Sequence, residues 1–302
     1  MRRALARADQ RLHRATSVLH HLVSAREQAL FSDAIVARVR GMLIHLAWQI
    51  LRVQAEATGE KAREEFAARH GEVLAERFFA TPVLISHAHA LAVEWELNCD
   101  LDERFGLDSV LAPLLQDLIG HADSEIAGAA MAVLTAQTRF VQHQRRMELP
   151  LSQLDGECFH AVLAAWRDFA AEEVSDAIVR AENRLKSEHD ESAARVTLLT
   201  RMVAALGDGA AEALNLSRAG VALFLSALAA RTGQERGVVA LSTLDGQRVR
   251  LALCLRAAGL KPADIDAQLL MIDPGMRQST ELDALGTREA AEWLAFDEAT
   301  TR

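Results

Sequence analysis

Asp33-Ala-Ile-Val-Ala-Arg-Val-Arg-Gly-Met-Leu-Ile-His-Leu-Ala-Trp-Gln-Ile-Leu-Arg-Val-Gln-Ala-Glu-Ala-Thr-Gly59 is the stretch that decides the fold. Its apolar residues recur at helical spacing. Ile35, Val39, Met42, Leu46 and Val53 form one row, and Val36, Leu43 and Ile50 a second. Two rows make a broad stripe that buries against two neighbours. Ser32 or Asp33 can cap the start, and Thr58-Gly59 ends the helix.

The rest of the chain has the same character. Aromatic residues make up 5% of the 302, there is no Tyr, and only five prolines interrupt the chain. Alanine and leucine, the strongest helix formers, recur in runs such as Ala127-Gly-Ala-Ala130 and Ala227-Leu-Ala-Ala230. β-Branched and aromatic residues, which suit strands, are scarce. The expected fold is all-α. A chain this long buries most of its unfolded surface and needs no disulfide staples.

Working outward, residues 2–24 carry a heptad. Leu5, Leu12 and Leu19 occupy one position, and Ala8, Ala15 and Leu22 the other. The seam is narrow, as suits packing on one or two helices. With the 33–58 helix it makes an antiparallel hairpin over 1–58 with too little core of its own. Dimerisation through this hairpin is expected, with Leu5, Leu12, Leu19 and Leu22 as interface candidates.

Further helices are expected over 60–79, from Thr81-Pro82 to about Arg104, over 108–119, and from Asp123-Ser124 to Leu149. Pro113 costs roughly 3 kcal/mol in a helix interior but little in a first turn, so the third of these can begin near Ala112. Asp155-Gly156 opens a helix expected to reach Leu185, with Phe159, Val162, Leu163 and Trp166 on its core side. Helices follow near 191–206, 217–232, 262–272 and 287–296. The charged run 186–191 is the candidate boundary between a domain over 1–186 and a domain over 187–302. Residues 237–255 are ambiguous. Val249, Leu251, Leu253 and Leu255 alternate with other residues, and Asp245-Gly246 is a hairpin signal. Leu251, Leu255 and Ala258 also fit a helical face, so helix is favoured and a small β-hairpin is the alternative. No fixed-period repeat emerges.

Net charge is −9, and bases mix with acids almost everywhere, so no nucleic-acid partner is expected. The N-terminal Met1-Arg-Arg-Ala4 lacks a following apolar region, so no signal peptide is read. The longest near-apolar run, 219–230, is too short for a bilayer, so no membrane association is expected. Cys99, Cys158 and Cys254 form no CxxC pair and read as small core residues of a reducing, cytoplasmic protein.

Candidate chemistry centres on histidine. His87 and His89 look like a ligand pair, but on a helix they point roughly 160° apart and cannot share an ion. Leu84, Ala88, Leu91, Trp95 and Cys99 define the buried stripe there. His87 and Glu94 flank it on one side, and His89 and Glu96 on the other. His87, Glu94, Trp95 and Asn98 form a candidate polar groove for a small molecule or metal ion. Glu157 and His160 make an ExxH, the di-iron bundle motif, but no second ExxH exists and the pair points away from the core. His20 and His21 raise histidine phosphotransfer, yet no acid lies beside them and no ATP-binding segment follows. The basic stretch Arg139, His143, Arg145 and Arg146 reads as a solvated helix end. Walker, GxGxxG, HExxH and GxSxG patterns are absent. No catalytic residue, resident metal or cofactor is assigned.

One resemblance adds to this. Val221-Ala-Leu-Phe-Leu-Ser-Ala-Leu-Ala-Ala-Arg-Thr-Gly233 and Leu251-Ala-Leu-Cys-Leu-Arg-Ala-Ala-Gly-Leu260 resemble the C-terminal part of a family of bacterial helical proteins of uncharacterised function. Some of its members resemble HEAT or armadillo arrays. The likeness covers about a fifth of the chain and carries no catalytic residue. It implies stacked helix pairs, a short α-solenoid or bundle, in a bacterial cytoplasm. The expected function is a non-enzymatic protein-interaction or scaffolding module in bacterial signalling, acting on a protein partner and as a homodimer. Small-molecule or metal binding near His87 and Glu94, and histidine phosphotransfer, are the alternatives.

Overall fold

A computed structural model describes residues 4–7, 10, 33–170, 176–275 and 284–301, with no side-chain description for 208 and 296–301. Every regular element among the described residues is helical. In chain order the α-helices are α1 (Asp33–Thr58), α2 (Arg63–Phe79), α3 (Pro82–Phe105), α4 (Pro113–Ile119), α5 (Ser124–Arg145), α6 (Gly156–Phe169), α7 (Asp176–Glu188), α8 (Arg195–Ala205), α9 (Leu216–Thr232), α10 (Arg236–Leu241), α11 (Arg248–Ala257), α12 (Pro262–Ile272) and α13 (Thr287–Thr301). Short 3-10 turns at Leu151–Gln153, Glu191–Ala193 and Gly207–Leu214 link some of them.

The helices group into two compact units, each discontinuous in sequence. One unit comprises Thr16–Ala92 and Arg139–Thr197. Here α1 packs along α2 and against α7, and α2 against α6. Both apolar rows of α1 are used: Val39, Met42, Leu43, Leu46 and Ile50 have no exposed surface. Gly71 lets α1 and α2 close up, because a Cβ there would lie 2.3 Å from Trp48 Nε1. The turn after α5 is tied to α1 by polar contacts. The Leu149 N–H donates to His45 Nδ1 at 3.1 Å, and Gln49 Nε2 donates to the Leu149 carbonyl at 2.8 Å. The Leu151 N–H donates to Gln49 Oε1 at 3.0 Å, and the Arg38 guanidinium donates to the Gln144 carbonyl. Trp166, fully buried, donates Nε1–H to the buried Gln54 Oε1 at 2.8 Å, so neither polar atom is stranded.

The other unit comprises Met1–Ala15, Val93–Thr138 and Leu198–Arg302. Its centre is α9, buried on most sides as its apolar run requires, with α4, α10 and α11 packed on it. Gly220, at φ 67°, kinks α9. A Cβ at this position would also lie 2.7 Å from Ala112 Cβ, so glycine is required twice over. Pro113 opens α4, with Ala112 as the residue before it. α13 packs on α11, and α12 on α11 as well.

The ambiguous 237–255 region is helical, as α10 and α11, with Gly246 (φ 82°) in the turn between them; the β-hairpin alternative is discarded. The single helix expected over 155–185 is described as two, α6 and α7, with Ala170 closing the first. The charged run 186–191 falls at the end of α7 and in the following 3-10 turn, within one compact unit. Leu5 is 4% exposed within the single chain. Leu12, Leu19 and Leu22, and likewise His20 and His21, lie outside the described residues. α1 is long and apolar enough to cross a bilayer by length and composition, although half of that stretch is buried inside the protein.

Candidate functional site

α3 carries every residue of the expected polar groove. Pro82 occupies its first turn, where a missing N–H costs nothing. Thr81 does not spend its hydroxyl on the new helix; Oγ1 donates back to the Arg77 carbonyl at 2.9 Å. Along α3 the four candidate residues meet different fates. Glu94 is fully buried, and the Arg236 guanidinium clamps it from α10 with two bonds of 2.8 and 2.9 Å. Arg236 Nε also donates to Ser226 Oγ at 2.9 Å. Asn98 is buried and donates to the Glu94 carbonyl at 2.8 Å, and Trp95 is buried as well. His87 faces a different partner, Asp155, at 3.6 Å. His89 is buried, and burial pulls its imidazole down to about 4, so it is neutral near pH 7. His87 and Glu94 therefore take separate partners, Asp155 and Arg236.

The Asp155 contact leads to a mixed cluster. Asp155 is the N-cap of α6, its Oδ1 accepting from the Cys158 N–H at 2.7 Å. Its other oxygen faces His87 Nδ1. Cys158, one turn into α6, is buried, with Sγ 4.0 Å from the Val83 carbonyl on the first turn of α3. One ligand-type atom each from His87, Asp155 and Cys158 lies within 4.8 Å of the others. A small cavity of about 20 Å³ adjoins His87, lined also by Phe140, His143, Gln144 and Arg195. That is room for about one water molecule. Arg195 stacks on the Phe140 ring, 3.7 Å from its centroid, which places a cation on one wall.

The remaining sequence candidates are dispersed. Glu157 and His160 are exposed, as their position off the core side of α6 requires. Arg139, Arg145 and Arg146 are exposed, while His143 Nδ1 meets Glu148 at 3.0 Å. Cys254 is buried, and burial pushes its thiol up to about 12, which leaves it chemically inert. Cys99, expected in the core, is exposed at the end of the α3 stripe.

The sequence reading missed a cleft of about 270 Å³ lined by Thr243, Asp245, Arg248, Leu251, Leu269 and Asp273. Arg248 reaches Asp245 at 3.1 Å and also contacts Asp273, so its charge is already matched by two carboxylates. Asp245 and Arg248 at i, i+3 were the only sequence signal for it.

The described residues define an all-helical protein of two compact units with one His–Asp–Cys cluster. Comparison with protein-family models, curated proteins and solved structures finds no match.

Proposed function

We propose that this chain is a non-enzymatic protein-interaction module that works as a homodimer in the bacterial cytoplasm. One observation carries the reading. The outer strip of α1 presents Ile44, half-buried, and Trp48, 37% exposed. Met147, also 37% exposed, lies beside Gly41 on the same helix. The Trp48 indole lies on Gly71 of α2 and is framed by two cross-helix ion pairs, Arg40–Glu72 at 3.9 Å and Arg52–Glu64 at 2.6 Å. A rigid aromatic ringed by polar contacts is the usual form of an interface anchor. The strip lies on the helix that forms the second arm of the hairpin expected over 1–58, so a second copy of the chain is the occupant that the sequence pattern favours. The acidic net charge of −9 speaks against nucleic acid as the partner.

The test is the dimer dissociation constant of wild type and Trp48→Glu, measured by sedimentation equilibrium over a range of concentrations. An anchor residue is worth 2 kcal/mol or more, so the variant is expected to dissociate at least about 30-fold more readily. An unchanged constant, with the helical circular dichroism intact in both, removes α1 from the interface.

A further inference from the structure

We propose that His87, Asp155 and Cys158 form a binding site for a divalent transition-metal ion of the zinc class. The donor set is one imidazole nitrogen, one carboxylate oxygen and one thiol sulfur, all within 4.8 Å of one another. Zinc is held by such mixtures, whereas magnesium and calcium call for oxygen alone. The His87–Asp155 separation suits a bridging ion. His87 Nδ1 and Asp155 Oδ2 are 3.6 Å apart, too far for a hydrogen bond. Ligands at zinc bond lengths of about 2.0–2.3 Å in a tetrahedron stand roughly 3.3–3.6 Å from each other.

The local fold holds two of the three donors in register. Asp155 Oδ1 is fixed by the Cys158 N–H at 2.7 Å, and this cap bond leaves Oδ2 turned towards His87. Asp155 and Cys158 are thus two donors on one turn, and α3 brings the third. Access and seclusion are also divided suitably. The Asp155 side chain is 50% exposed and that of His87 is 16% exposed, while Cys158 is 1% exposed. An ion enters past the carboxylate and meets the sulfur in the interior. Three protein donors leave the fourth tetrahedral position to water. On binding, the Cys158 S–H bond breaks, a sulfur–metal bond forms, and the proton passes to solvent, so uptake releases one proton.

The experiment uses the full chain, stripped with a chelator and titrated with cobalt(II) as the probe. A one-to-one complex with visible d–d bands and a near-ultraviolet thiolate-to-cobalt charge-transfer band is expected, displaced stoichiometrically by zinc. Cys158→Ser is expected to abolish the charge-transfer band, and Cys99→Ser, at the exposed thiol, to leave it intact. His87→Gln and Asp155→Asn each keep the fold, the latter because an asparagine oxygen still caps α6. Both are expected to weaken binding at least about tenfold. The absence of a stoichiometric charge-transfer band in wild type overturns the proposal. So does a band that follows Cys99, or one that survives both His87→Gln and Asp155→Asn at full affinity.

Discussion

The Glu94–Arg236 pair gives the sharpest quantitative prediction. Glu94 has no exposed surface, and both its oxygens are bound by one guanidinium at 2.8 and 2.9 Å. Arg236→Met removes the clamp and leaves a carboxylate in the interior. Loss of one partner of a buried pair costs about 3–5 kcal/mol. A second route to the magnitude is protonation. Keeping a glutamate buried and neutral at pH 7 costs about 1.36 kcal/mol for each pH unit above its ordinary value near 4.3, about 3.7 kcal/mol in all. The two figures agree. The protonation route adds a signature: the cost shrinks to about 1 kcal/mol at pH 5. Ser226 is not stranded by the change, since its hydroxyl still donates to the Ala222 carbonyl at 2.9 Å. The double variant Glu94→Met with Arg236→Met has no charge to bury and is expected within about 1 kcal/mol of wild type. Urea unfolding of the four proteins at pH 7 and pH 5 measures all of this. If the double variant is as unstable as Arg236→Met, or if the single variant's deficit does not shrink in acid, the argument from a buried carboxylate that has lost its guanidinium clamp is wrong.

Other expectations follow from particular residues. Gly220→Ala forces a positive φ on alanine and drives a Cβ to 2.7 Å from that of Ala112, so a loss of about 2 kcal/mol or more is expected in urea unfolding; a loss under 0.5 kcal/mol would mean that α4 and α9 separate without strain. Burial holds the His45 imidazole below its ordinary 6.5, so the folded chain binds fewer protons than the unfolded one. That contribution to stability is complete above about pH 6.5 and is lost as the pH falls below it. His45→Gln should flatten the stability profile between pH 7 and pH 5, and an identical slope in the variant would refute the assignment. Of the three cysteines, Cys99 is exposed and the others are buried, so one thiol is expected to react rapidly with a chromogenic disulfide in the native protein and three after unfolding. Rapid reaction of two or more in the native state would contradict the packing of α6 or α11.

The elements that sequence located well are those with chemical punctuation. α12 begins at Pro262 and α4 at Pro113, because proline in a first turn loses no hydrogen bond. α1 runs from Asp33 to Thr58, where the left-handed Gly59 stops it. The misleading alternation in α11 has a definite cause. Arg250, Ala252 and Cys254 are buried as completely as Leu251, Leu253 and Leu255, so no polar face marks the helical period. Arg250 tolerates this because it donates to Gln234 Oε1 at 3.1 Å.

The site was legible only in fragments. Asp155 could be read as a cap and Cys158 as a core residue, and His87 as half-buried, but nothing in their spacing joins α3 to the first turn of α6. Glu94 looked like a flank residue because its partner, Arg236, stands 142 positions later. Cys99 was misplaced for the opposite reason: it continues the apolar stripe of α3, yet its side chain is exposed.

The central claim is self-association through the N-terminal hairpin, and light scattering coupled to size-exclusion chromatography tests it most directly. The wild type is predicted to elute at twice the 33.0 kDa of one chain, and Leu12→Glu with Leu19→Glu to elute at the single-chain mass with its helical content preserved. A wild type that stays at the single-chain mass at every concentration would contradict the account.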